Sequence, residues 1–136
     1  MRRVTADSNI YISALNFGGK PLQVLELARN RRIELAISNA IITETIRVLH
    51  HKFRWNAEDF NDAVQQILGF TKYVHADYTI DEVPTDPDDN RVLECALKAD
   101  SDTIVTGDSD LLTLGGFRGI KIQSPSEFLV EFARKE

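Results

Sequence analysis

Cysteine is almost absent from this chain, with Cys95 the only one. No intrachain disulfide can form, and zinc held by clustered thiolates is excluded. Long apolar runs are missing too, and none reaches the ~18 residues that a membrane-spanning helix needs. Met1-Arg2-Arg3 carries the charge of a signal-peptide opening, but Asp7 and Asn9 stand where its apolar stretch belongs. Basic residues are outnumbered: 16 Lys and Arg face 21 Asp and Glu, for a net charge of −5. That balance disfavours a protein that coats nucleic acid through a basic surface. It leaves room for a nuclease, which can gather acids in a metal pocket and keep its bases on a rim. The apolar share of 43% is that of a folded protein. No repeat, low-complexity tract or linker divides the chain. The expectation is one soluble, cytoplasmic domain over residues 1–136.

Short apolar runs alternate with amphipathic stretches. Arg3 to Ala6, Ile33 to Ile37, Lys72 to His75, Thr103 to Val105 and Ile120 to Ile122 read as strands. Ser8 to Leu15 reads as a helix, broken at Phe17-Gly18-Gly19-Lys20-Pro21. Leu22 to Asn30, Asn39 to His51 and Ala57 to Phe70 follow as helices, the last capped by Asn56. Asp86-Pro87 opens a helix that runs to about Ala99, with Asp as N-cap and Pro in the first position. Ser124-Pro125-Ser126-Glu127 is a capping-box opening for the final helix. Such alternation argues an α/β fold with a mainly parallel sheet. In such sheets ligands bind at the carboxyl ends of the strands. Asp7 directly follows the first strand, and Asp108 follows Thr103 to Val105.

Each acid has an ordinary reading and a functional one. In Asp7-Ser8-Asn9, Asp7 either caps the next helix or ligates a metal, with Asn9 orienting it. Glu44 lies ~200° from Ile42 on the helical wheel, at the margin of the apolar arc. It either pairs with Arg47 three residues on or reaches a shared pocket. In Asp86-Pro87-Asp88-Asp89-Asn90, Asp86 caps while Asp88 and Asp89 favour the positive end of the helix dipole. Three acids exceed what capping requires, and Asp89 is a better ligand candidate than Asp88. In Thr106-Gly107-Asp108-Ser109-Asp110, Asp108 either caps a short Leu111-Leu112 segment or joins the cluster, with Asp110 beside it and Thr106 bonding a carboxylate. Like charges brought together raise each other's pKa unless a cation intervenes. Carboxylates and water suit Mg²⁺ or Mn²⁺.

Taken in order, Asp7-Ser8-Asn9, Glu44, Asp89 with Ala96 seven places on, and Thr106-Gly107-Asp108 resemble the PIN-domain family of metal-dependent ribonucleases. The runs Asp86 to Ala96 and Val105 to Leu112 resemble its VapC-like branch, the toxin components of bacterial and archaeal toxin–antitoxin modules. The resemblance covers nearly the whole chain. It implies a three-layer α/β/α sandwich and cleavage of single-stranded RNA. It further implies homodimers or higher oligomers and inhibition by a cognate antitoxin. The expected metal ligands and catalytic residues are Asp7, Glu44, Asp89 and Asp108, with Asn9, Thr106, Asp110 and Asp88 in support.

The mechanism so expected has these acids holding one or two Mg²⁺ ions that lower the pKa of an attacking water. Arg29, Arg31, Arg32, Lys52 and Arg54 are candidates for a phosphate-binding rim, or else solvated helix ends. Tyr11 either lines the site or sits in the core. Trp55 either stacks a base or packs at a loop or a dimer contact. Two rivals stand beside the nuclease. One is a haloacid-dehalogenase-like phosphatase, which would want a second Asp where Asn9 stands. The other is an inactive PIN-like or receiver-like scaffold that only binds a partner.

Overall fold

A computed structural model describes residues 1–77, 79–83 and 86–135. Among these residues six strands form one sheet in the order β3-β2-β1-β4-β6-β5. They are β1 (Arg2–Ala6), β2 (Ile33–Ser38), β3 (Lys72–Val74), β4 (Thr103–Val105), β5 (Gly116–Phe117) and β6 (Ile120–Gln123). All pairings are parallel except β5 with β6. Val4, Ala6, Leu35, Ile37, Ile104 and Val105 are all but fully buried. This is the apolar filling expected of strands covered on both faces. Among the described residues seven helices flank the sheet: α1 (Ser8–Phe17), α2 (Gly19–Arg29), α3 (Asn39–His51), α4 (Ala57–Leu68), α5 (Pro87–Lys98), α6 (Ser109–Leu114) and α7 (Pro125–Lys135). The α/β sandwich with a mainly parallel sheet is therefore the fold observed.

Local chemistry sets the boundaries. Gly18 and Gly19 take φ of 72° and 64°, so the chain turns in one step from α1 into α2 rather than through a longer break. The Ser124–Glu127 capping box is reciprocal: the Ser124 N–H donates to Glu127 Oε1, and the Glu127 N–H to Ser124 Oγ. Strand β5 goes beyond the sequence reading. Arg118 and Gly119, with φ of 50° and 83°, make a two-residue turn of the kind that matches hairpin twist and fold Phe117 back onto Ile120.

The topology decides where chemistry can occur. The chain leaves β1 toward β2 and β3 on one side, then returns to β4 on the other. The switch point falls between the neighbouring carboxyl ends of β1 and β4, where open α/β sheets form crevices. Asp7 and Asp108 stand there.

Candidate metal centre

Asp7 terminates β1 and caps α1, with its Oδ1 accepting the Ile10 N–H at 3.3 Å. The other oxygen, Oδ2, accepts from Asn9 Nδ2 at 2.9 Å and from the Thr106 hydroxyl. Capping and site-building are thus done by one carboxylate. Asn9 is a bridge, since its Oδ1 also accepts the Gly107 N–H at 3.2 Å, tying the end of β1 to the end of β4. Thr106 Oγ1 accepts the Asp108 N–H, and Asp108 Oδ2 caps α6 at Leu111 N. Two strand ends and two helix starts are laced together by Asp7, Asn9, Thr106 and Asp108.

From the other side comes α5. Its N-cap Asp86 accepts the Asp88 N–H, and Asp89 is buried in the first turn. Carboxylate oxygens of Asp86, Asp89, Asp108 and Asp110 lie within 4.8 Å of one another. Asp7, Glu44, Asp86, Asp88, Asp89 and Asp108 line one cavity of about 340 Å³. Burial first, and crowding by other acids second, make these carboxyls hold their protons more tightly. Burial pushes the Asp7 carboxyl up to about 7, against hydrogen bonds from Thr106 and Ile10 and with a smaller push from Asp108. Asp89 is pushed up to about 8, first by burial and then by Asp108, Asp86 and Asp7.

The donor set fits a hard divalent cation. It is all carboxylate, as Mg²⁺ or Mn²⁺ prefers. Asp89 Oδ2 is buried and has no hydrogen-bond partner among the described residues. A buried, unsatisfied carboxylate oxygen is costly unless a proton or a cation meets it.

The geometry redraws the set read from sequence. Asp89 and Asp108 belong to both groups. Asp86, read only as a cap, joins the close cluster, and so does Asp110. Asp88 is exposed and outside it. Glu44 reaches the cavity wall but is held by Arg47, whose Nη2 and Nε donate at 2.6 and 3.1 Å. Tyr11 is fully buried in the core and does not line the cavity. Trp55 donates through Nε1 to Asn16 Oδ1.

The basic rim needs correction. Arg29, Arg31 and Arg32 precede β2, whose first residue pairs with Arg2 at the start of β1. They sit at the opposite, amino ends of the strands, about a strand length or 16 Å from the acids. Arg29 and Arg32 lie over the Phe70 and Phe132 rings instead. Arg54 lines a separate depression beside Trp55. Of the five rim candidates, only Lys52 lines the acidic cavity.

Sequence reasoning missed Asn90 and Glu94, polar residues buried in mid-helix on α5. Asn90 Oδ1 accepts the Glu82 and Val83 N–H groups, and its Nδ2 donates to Val83 O. Glu94 accepts the Ile80 N–H, and Arg91 donates to Ile80 O. This clamp seats the segment that leads into Asp86. Removing Asn90 strands two backbone donors and an acceptor. Asn90→Ala should cost about 2–4 kcal/mol in denaturant melts. It should also weaken Mn²⁺ binding by about 10–100-fold through the loosened Asp86, read by metal titration of the folded variant.

The fold and cavity define an α/β protein with an acidic, cation-ready cleft at its topological switch point. Residues 3–110 match the sequence profile of the PIN domain, and the chain belongs to that family. Two solved structures are similar in fold. One is VapBC2 from Rickettsia felis bound to a DNA fragment from their promoter, at 16% identity and a TM-score of 0.61, covering 90% of this chain and 98% of that one. The other is PAE2754 from Pyrobaculum aerophilum, at 20% identity and a TM-score of 0.61, covering 98% of this chain and 90% of that one. Among curated proteins, none matches this chain at a significant level. No helix among the described residues is long and apolar enough to cross a membrane.

Proposed function

We propose that this chain is a divalent-metal-dependent endoribonuclease that cuts single-stranded RNA, acting as the toxin of a toxin–antitoxin module. The observation that carries the reading is the cluster of Asp86, Asp89, Asp108 and Asp110 around a buried, unpartnered Asp89 oxygen. Asp89 and Asp108 would hold Mg²⁺ or Mn²⁺, with Asp7, Glu44, Asp86 and Asp110 completing the set. A cation bound there supplies positive charge for the phosphate and lowers the pKa of an attacking water. The chain's own residues fix the geometry. Asn9 and Thr106 hold the Asp7 carboxylate in place, and Asn90 seats the approach to Asp86. Arg47 keeps Glu44 as a paired anion at the cavity wall until a cation competes for it.

Membership of the PIN family supports a nuclease. Resemblance of the Asp86 to Ala96 and Val105 to Leu112 runs to toxin components supports the toxin assignment, as does the likeness in fold to VapBC2. A cognate antitoxin, self-association of the toxin and residence in the cytoplasm belong to the same proposal. Single-stranded RNA incubated with Mg²⁺ or Mn²⁺ should be cut and, with chelator, spared. Asp108→Asn should fold and fail to cut. Hydrolysis of a small phosphomonoester in place of RNA would turn the reading to a phosphatase, and metal binding without turnover would turn it to a scaffold.

A further inference from the structure

The acidic cavity does not end at the acids. Ile12, Phe17, Val48 and Phe53 also line it, with Lys52 among them. Phe17 closes α1 and Phe53 follows α3. Their rings meet edge to face, with centroids 5.9 Å apart. Even with that contact Phe17 is 74% exposed, more than the exposed Tyr73 at 50%. Lys52 caps the C-terminal end of α3, with Nζ 5.6 Å from the Phe53 ring centre. An open aromatic face and a cation therefore share one cleft with the carboxylates.

We infer that Phe17 and Lys52 form a nucleotide subsite, in which Phe17 stacks an RNA base beside the cut bond and Lys52 takes the adjoining phosphate. This rests on the nuclease reading and names the substrate part that the cavity would recognise. A nucleotide pairs a flat π-face with an anion, the complement of an aromatic face beside an ammonium group. The cavity volume of about 340 Å³ falls within the ~300–1,000 Å³ of small-ligand sites, and exceeds what bound ions need. Stacking tolerates any base, so the subsite anchors a single strand without reading its sequence. In a duplex the bases are already stacked on one another, so the same face selects unpaired RNA.

The experiment uses the Asp108→Asn chain, which should bind without cutting, and a short fluorescein-labelled single-stranded oligoribonucleotide in Mg²⁺ buffer, read by anisotropy. Adding Phe17→Ala should weaken binding about tenfold or more, and Phe17→Trp should retain it. Adding Lys52→Ala should weaken binding and lower the salt slope by about 0.7. An oligonucleotide with one abasic position beside the cut should bind the parent weakly and lose nothing further with Phe17→Ala. Because Phe17 is exposed, the melting temperature should not move.

If the unsubstituted chain neither binds nor cuts RNA, the nuclease reading falls and the subsite falls with it. If cutting is intact but both variants bind within twofold of the parent, the subsite alone is overturned. RNA affinity unchanged by Phe17→Ala, with a fall in solution mass from dimer to monomer, overturns it in favour of a contact between chains.

Discussion

Asp89→Asn should abolish RNA cleavage and, at the same time, make the metal-free protein more stable. Asparagine keeps the shape of the side chain but removes the charge that burial and three neighbouring acids penalise. Its loss should lower kcat/KM on the order of a thousandfold, about 4 kcal/mol of transition-state stabilisation. In chelator at pH 9, where Asp89 is ionised in the folded parent, the variant should gain about 1–3 kcal/mol in urea melts. A residue that only caps α5 would behave in the opposite way, since removing a favourable charge from a helix start costs stability. Lost activity with lost stability, or retained activity with either, would remove Asp89 from the centre. Asp7→Asn is the weaker test, because its Oδ2 accepts from both Asn9 and Thr106 and an amide nitrogen there would face the Asn9 donor.

Without metal, the protein should become less stable as the pH rises from about 4 to 8, and divalent cations should abolish that decline. Asp7 and Asp89 both hold their protons more tightly folded than unfolded, with values near 7 and 8 against 3.8. Their contribution is fully present below the unfolded value and is lost as the pH climbs through the folded ones. Groups of opposite sense do not mask this. Hydrogen bonds hold Asp102, Glu127 and Glu131 below the usual carboxylate range, helped at Asp102 by Arg2 and at Glu131 by Lys121, so their contribution is fully present above the unfolded value and changes only in acid. Metal binds the ionised form, so its stabilisation grows with pH. At 100 times Kd it contributes about 2.7 kcal/mol, or about 10 °C in Tm for a chain of this size. Thermal melts across pH 4–9 in chelator and in Mn²⁺ would show two diverging curves. Parallel curves would contradict a shared cation site.

Much of this is legible in the sequence, because two simple rules agree. The alternation of strands and helices fixed the class of fold, and the strand-end rule singled out Asp7 and Asp108. The rest was hidden for physical reasons. Asp86 had a sufficient local explanation as a cap, and a residue can cap and also face a cluster. Asn90 and Glu94 look like solvent-facing positions on a helix, and only the packed 80–83 segment makes them interior. Strand β5 is two residues long, too short for any period. The arginine rim failed for a different reason. Arg31 and Arg32 directly precede a strand, so the rule that placed the acids already assigns these bases to the opposite ends of the strands.

The two outer strands of the sheet are stubs. On one side the rim is three-residue β3, whose exposed Lys72 is ion-paired with Glu34 of β2; on the other it is two-residue β5, folded back antiparallel. Neither offers the long, flat run of free amides that a neighbouring molecule could extend. Edges this short disfavour association of copies by continuing the sheet.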